Sequence, residues 1–111
     1  MASPQQPAVW TVYTKTDGRI LRFNAGAGQL LNTGERWATG RDLLAFFDEN
    51  RRELKVAMHL AASTGDTAEV VARLRPRERR PFRVRVRIAR RSVEDGRELE
   101  WTIAPDCTPE Q

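Results

Sequence analysis

One cysteine, one histidine and one tyrosine among 111 residues leave little of the material from which active sites are usually built. With Cys107 alone, no internal disulfide can form and a cysteine-rich zinc site is excluded. A reducing cytoplasm is therefore the expected compartment. No apolar run approaches the ~20 residues of a membrane-spanning helix. The opening MASPQQPA has neither the basic start nor the apolar stretch of a secretory signal, so none is expected. Lysine is nearly absent, two residues against seventeen arginines, a bias that points to a bacterial source. The three serines, Ser3, Ser63 and Ser92, fall in a tail, a helix end and a turn. The lone His59 is far from Cys107 in sequence, which does not suggest a nucleophile and base. We expect no catalytic residues, no metal site and no enzyme.

What the chain does have is a long alternating stretch, Pro81 to Pro105. Phe82, Val84, Val86 and Ile88 alternate with Arg83, Arg85 and Arg87, and a period of two puts the apolar set on one face. Ser92 to Gly96 supplies a turn, with Asp95-Gly96 its strongest signal. Leu99, Trp101 and Ile103 then alternate with Glu98, Glu100 and Thr102. This is a hairpin with one apolar and one charged face, and its apolar face must be covered.

The net charge of +4 is unevenly spread. Ten arginines lie between Arg73 and Arg91 against one acid, Glu78, so the remainder of the chain is net acidic. Such a run can be a nucleic-acid footprint. The plainer reading is a solvated sheet face answered by Glu69, Glu98 and Glu100 on neighbouring strands. Single-strand readers present stacking aromatics beside their arginines. None stands among Arg83, Arg85, Arg87, Glu98 and Glu100, which weighs against nucleic acid as a partner.

In chain order, residues 1–7 read as a disordered lead-in. Val9 to Thr14 and Ile20 to Phe23 are strands joined by Asp17-Gly18, a first hairpin. Asn24 caps a short helix, Ala25 to Leu31, weakened by Gly26 and Gly28. The glycines suggest a dinucleotide loop, but Leu31 holds the third glycine position and no βαβ unit follows. Gly40 to Phe47 is a second short helix. A longer one begins at Asp48 or Asn50, with Asn50 and Glu53 resembling a capping box. Its Leu54, Ala57, Met58 and Ala61 form one apolar stripe, and Thr64-Gly65-Asp66 ends it. Glu69 to Arg75 is a strand with Val70, Ala72 and Leu74 inward, and 76–81 a loop. The order ββααα-βββ, five antiparallel strands with a helical insert on one face, is an α+β domain.

This order, with Asp17-Gly18-Arg19-Ile20, the helix opened by Asn24, Gly40 with Leu43, Leu44 and Phe47, Asp48-Glu49 before the long helix, Arg80-Pro81-Phe82, and Asp106-Cys107-Thr108, resembles the PAS domain family. The likeness spans residues 8–108. It implies a PAS-like domain over 8–105 and the start of an output linker over 106–111. It further implies a sensory or signal-transducing role, commonly as a homodimer that acts on an effector domain or signalling partner, including in transcription regulation. A family pocket between insert and sheet would be lined here by Trp37, Leu44, Phe47 and Met58, with Val84, Val86 and Trp101. The Trp101 indole needs an acceptor for its N–H, which a ligand can supply. A change there would be relayed outward by Ile103, Asp106 and Thr108. His59 faces away from the apolar stripe, which argues against haem. No cysteine lies in residues 24–50, which argues against covalent flavin and leaves a flavin bound by packing alone open; no cofactor is identified. The alternative is a ligand-free interaction or dimerisation module in which the same residues are simply core.

Overall fold

The computed structural model describes residues 10–24, 26–27, 31–94 and 96–106. Strands β1 (Trp10–Thr14) and β2 (Ile20–Phe23) form the first hairpin. Its turn is closed by Gly18 N–H donating to Lys15 O at 2.9 Å, with Gly18 at φ +97°, a conformation glycine adopts without strain. Helix α1 (Glu35–Ala38) and a 3₁₀ turn (Leu43–Phe46) follow, then a short strand β3 (Phe47–Glu49). Helix α2 spans Arg51–Thr64, and β4 (Ala68–Leu74), β5 (Phe82–Val93) and β6 (Gly96–Pro105) complete the sheet. The strand order is β2-β1-β6-β5-β4-β3, every pairing antiparallel, so the first strand lies beside the last.

The expected α+β sheet with its insert is therefore present, with a sixth strand added. Phe47–Glu49 was expected to close a helix and open the next. Instead the helical turn, opened by Asp42 Oδ1 accepting from Leu44 N–H at 3.0 Å, stops at Phe46, and Phe47 turns extended with its N–H donating to Leu44 O. The chain then extends to pair with β4, Phe47 opposite Leu74. Pairing at the sheet edge outweighs the local helical pattern of DLLAFF.

One face of the sheet carries Val12, Ala72, Leu74, Val84, Val86, Ile88, Leu99, Trp101 and Ile103, all buried. The stripe Leu54, Ala57, Met58 and Ala61 of α2 is buried in the same cluster. Fully burying a leucine or isoleucine side chain contributes about 1.5–3 kcal/mol, so this layer pairing is the main source of stability. His59 is exposed, as its position off the stripe implies, with Nε2 3.5 Å from Ser63 Oγ.

The capping of α2 differs from expectation. Asn50 is the N-cap residue but sits at φ +70° and its side chain makes no capping bond, so the capping box with Glu53 is not formed. Asparagine tolerates this left-handed turn better than most residues, and the sharp reversal from β3 into α2 demands it. At the other end Gly65, at φ +81°, donates to Ala61 O at 3.1 Å. Arg90 and Arg97 each donate to Ala62 O (3.2 and 3.3 Å), placing cations at the helix C-terminus where its dipole favours them. Asn24 does cap: its Oδ1 accepts from Ala27 N–H at 2.9 Å. Much of the helix expected over 25–31 lies outside the described residues, although Leu31 is buried. Among the described residues no helix is long and apolar enough to cross a membrane.

Candidate functional site

Six of the seven residues expected to line a pocket are brought together. Leu44, Phe47, Met58, Val84, Val86 and Trp101 all belong to one buried cluster. The Trp101 N–H that was offered to a ligand is met inside the protein: Nε1–H donates to Thr14 Oγ1 at 2.9 Å, and that hydroxyl donates to Lys15 O at 2.8 Å. Thr14 is itself fully buried, so the pair satisfies two polar groups that burial would otherwise penalise. Trp37 does not join them. It is 39% exposed on α1, with its ring edge-on to Phe46 at 6.4 Å between centroids.

Trp37 instead forms one wall of a surface groove of about 420 Å³ between the insert and the β4–β5 loop. Its apolar surface comes from Trp37, Ala45, Phe46 and Pro76, and its charged rim from Arg41, Arg51, Arg75 and Arg77 with Asp42, Asp48 and Glu78. The backbone explains why these segments meet. Arg77 N–H donates to Leu31 O (3.1 Å), Asn32 Nδ2–H donates to Arg77 O (2.8 Å), and Arg75 N–H donates to Phe46 O. Together they tie the loop to the insert. Gly40 N–H to Ile20 O and Ile20 N–H to Arg41 O, both 2.8 Å, fasten the other side to β2. Gly40 needs φ +86° for this, which its lack of a Cβ allows. A smaller cleft of about 200 Å³, lined by Asp42, Leu44, Ala45, Arg51 and Lys55, adjoins the groove.

Arg41 and Arg77 hold their guanidinium carbons 3.8 and 4.6 Å from the Trp37 ring centroid, within cation–π reach. Arg41 Nε–H also donates to Trp37 O at 2.9 Å, and Arg51 Nε–H to Phe47 O at 2.6 Å. Asp48 Oδ1 is buried without a hydrogen bond; Arg73 Nε stands 3.5 Å away, close enough for an ion pair but too long for a good hydrogen bond. Sequence reasoning missed this groove because its parts come from a loop, a cap and a helix end. The available signal was Trp37 itself, an aromatic between Arg36 and Arg41 with no apolar stripe to belong to.

The outward face of the sheet is arranged differently. Arg87 Nη2 meets Glu69 Oε2 at 2.7 Å, Arg73 meets Glu49 at 3.0 Å, and Arg22 meets Glu98 at 2.6 Å with Arg91 at 3.9 Å. The hydrogen bond and charge of Arg87, with the charge of Arg85 beyond it, hold the Glu69 carboxyl below the usual carboxylate range. Glu98, expected on the solvated face, is only 5% exposed beneath these arginines. Tyr13 is also on this face, opposite Glu100 and Arg22 in register, with Arg22 and Arg91 at 4.4 and 5.0 Å from its ring.

At the sheet's end, Ile103 is fully buried opposite Val86 and Trp10. Asp106 N–H donates to Arg83 O at 3.1 Å, and its Oδ1 lies 3.5 Å from Arg85 Nη2. Cys107 and Thr108 fall outside the described residues. Among the described residues no group of three or more histidines, cysteines or carboxylates is placed to hold a metal ion.

The family described as the PAS fold matches residues 4–104. No curated protein matches the sequence. Among solved structures, the PAS domain of an HTR-like protein from Haloarcula marismortui superposes with a TM-score of 0.73 at 16% identity, over 86% of this chain and 83% of that one. The PAS domain of nitrogen regulation protein NR(II) from Vibrio parahaemolyticus gives 0.71 at 10% identity, over 88% and 89%. The PAS-B domain of Drosophila melanogaster Cycle, with bound ethylene glycol, gives 0.70 at 13%, over 86% and 94%. At these identities the likeness is one of fold.

Proposed function

The chain belongs to the PAS fold family, and from that premise we propose that it is a sensory or interaction module that works by binding rather than catalysis. It takes a small ligand or a protein partner at its helical insert and passes the change to the segment after β6, as a homodimer. PAS domains often dimerise and act on effector domains, which supports the assignment at the level of the family. The observation that carries the relay is the anchoring of Asp106. Its backbone and carboxylate both reach β5, at Arg83 O and Arg85 Nη2, so a shift of β5 against β6 is felt where the chain leaves the sheet. Ile103, paired with Val86 in the core, would carry the same shift from within.

Paired native and denaturing mass spectra of the 111-residue chain, read beside hydrogen exchange of wild type and Asp106→Ala, test this. A dimer carrying a stoichiometric small molecule lost on denaturation, with D106A loosening only the end of β6 and leaving ligand occupancy intact, is the expected result. Loss of occupancy and loosening together would count against a relay residue. The ligand-free module remains the second reading because the Trp101 N–H already has its acceptor in Thr14; a bare dimer is its signature.

A further inference from the structure

The arginines of the groove differ from the rest of the run in what faces them. Among the described residues Arg41, Arg51, Arg75 and Arg77 form no ion pair, although all four line one groove. The acids nearby are otherwise engaged. Asp42 Oδ1 caps the 3₁₀ turn at Leu44 N–H, and Asp48 faces Arg73, leaving Glu78 on an exposed turn at φ +58°. Two guanidiniums are held against a single indole, and two more share its groove. Converging like charges of this kind repel, and an anion between them removes the repulsion.

The remaining donors suit such a ligand. Arg41 and Arg51 each use Nε–H on a backbone carbonyl, and among the described residues their terminal Nη groups meet no acceptor, so they keep the fork that binds carboxylate or phosphate in two-point fashion. The surface beneath is apolar, from Trp37, Phe46 and Pro76. A volume of about 420 Å³ is in the range of small-molecule sites and holds one ring or short chain with its head group. We propose that this groove binds a small organic anion, an apolar body seated on Phe46 and Pro76 with a carboxylate or phosphate among Arg41, Arg75 and Arg77. This goes beyond the signalling reading and needs neither dimer nor relay.

Calorimetric titration of the intact chain with 2-naphthoate, its neutral isostere 2-naphthamide and 2-naphthyl phosphate tests the proposal, with amide and indole NMR shifts locating the site. Naphthoate should saturate at one per chain and bind about tenfold or more tightly than the amide, since charge-assisted bonds are roughly twice as strong as neutral ones. The shifts should centre on the Trp37 indole and the Arg41 and Arg77 amides. Arg41→Gln with Arg77→Gln should weaken naphthoate about tenfold, while Arg83→Gln on the outer sheet face leaves it unchanged. The ratio of phosphate to carboxylate affinity then tells which head group the site prefers. Equal binding of the amide, shifts centred elsewhere, an equal loss in R83Q, or hexaglutamate displacing naphthoate as the tighter ligand would each overturn the proposal, the last in favour of an acidic peptide.

Discussion

Two surfaces of this molecule are rich in arginine and they behave oppositely. On the outer sheet face the cross-strand register sets Arg87 beside Glu69, Arg73 beside Glu49, and Arg22 and Arg91 around Glu98. In the groove, Arg41, Arg51, Arg75 and Arg77 come from three different segments, and among the described residues none of them pairs with the acids that share the rim, Asp42, Asp48 and Glu78. Composition alone does not separate the two cases; register does. A strand with a period of two has partners fixed by its neighbours, whereas a loop's partners depend on where tertiary contacts carry it. The arginine run is thus partly ballast for a sheet and partly the wall of a site.

The comparison breaks most visibly if the groove loses its floor. Phe46 is 7% exposed, belongs to the main core, and meets Trp37 edge-on. Phe46→Ala should cost about 3–5 kcal/mol in urea unfolding, the usual range for a buried aromatic. It should also free Trp37 and scatter the arginines around it. If stability falls while the Trp37 indole resonance stays in place, the groove is held by its backbone ties rather than by its floor.

A smaller effect sharpens the contrast between the faces. Glu98→Gln removes a carboxylate whose side chain is 7% exposed from between Arg22 and Arg91, whose side chains are about half exposed. The expected loss is about 1–2 kcal/mol, reduced from a fully buried pair by solvent screening on the arginine side, and it should shrink in high salt. In the groove, Arg77→Gln should change stability by less than about 0.5 kcal/mol. Equal losses at the two positions would mean that the Arg77 contact with the Trp37 ring stabilises the fold as much as the Glu98 ion pairs do.

Much of the fold was legible because periodicity is a local property. The β5–β6 hairpin shows in Phe82-Val84-Val86-Ile88 and Leu99-Trp101-Ile103, and α2 in Leu54-Ala57-Met58-Ala61, all buried where alternation or stripe put them, Phe82 only partly. That Leu44, Phe47, Met58, Val84, Val86 and Trp101 pack in one cluster was legible for the same reason. What was not legible depends on contacts distant in sequence. Phe47–Glu49 becomes a strand only because β4 offers an edge. Asn50 fails as a side-chain cap because the turn from β3 forces it left-handed. Trp37 leaves the core because the short α1 turns its neighbour Ala38 inward and Trp37 outward. Thr14, the partner of Trp101, is an ordinary strand threonine until β1 is laid beside β6.

The smallest effect concerns the exposed end of the paired face. Glu69 accepts from Arg87 Nε–H and Nη2–H at 3.2 and 2.7 Å, and this bond, then the Arg87 charge, lowers its pKa from 4.5. A carboxylate whose pKa is lower in the folded chain than in the unfolded one stabilises the fold above the unfolded value. That contribution is lost as pH falls through the folded value, where both states become protonated. Glu69→Gln should therefore lower the melting temperature slightly at pH 7, by less than E98Q, because the pair is open to water. The difference between wild type and variant should begin to close below about pH 4.5 and vanish in stronger acid. A gap that persists unchanged into that range would mean that the Gln disturbs the β4–β5 pairing itself rather than the charge. The answering acids would then matter to the sheet by shape, and the contrast with the groove would be one of packing, not of electrostatics.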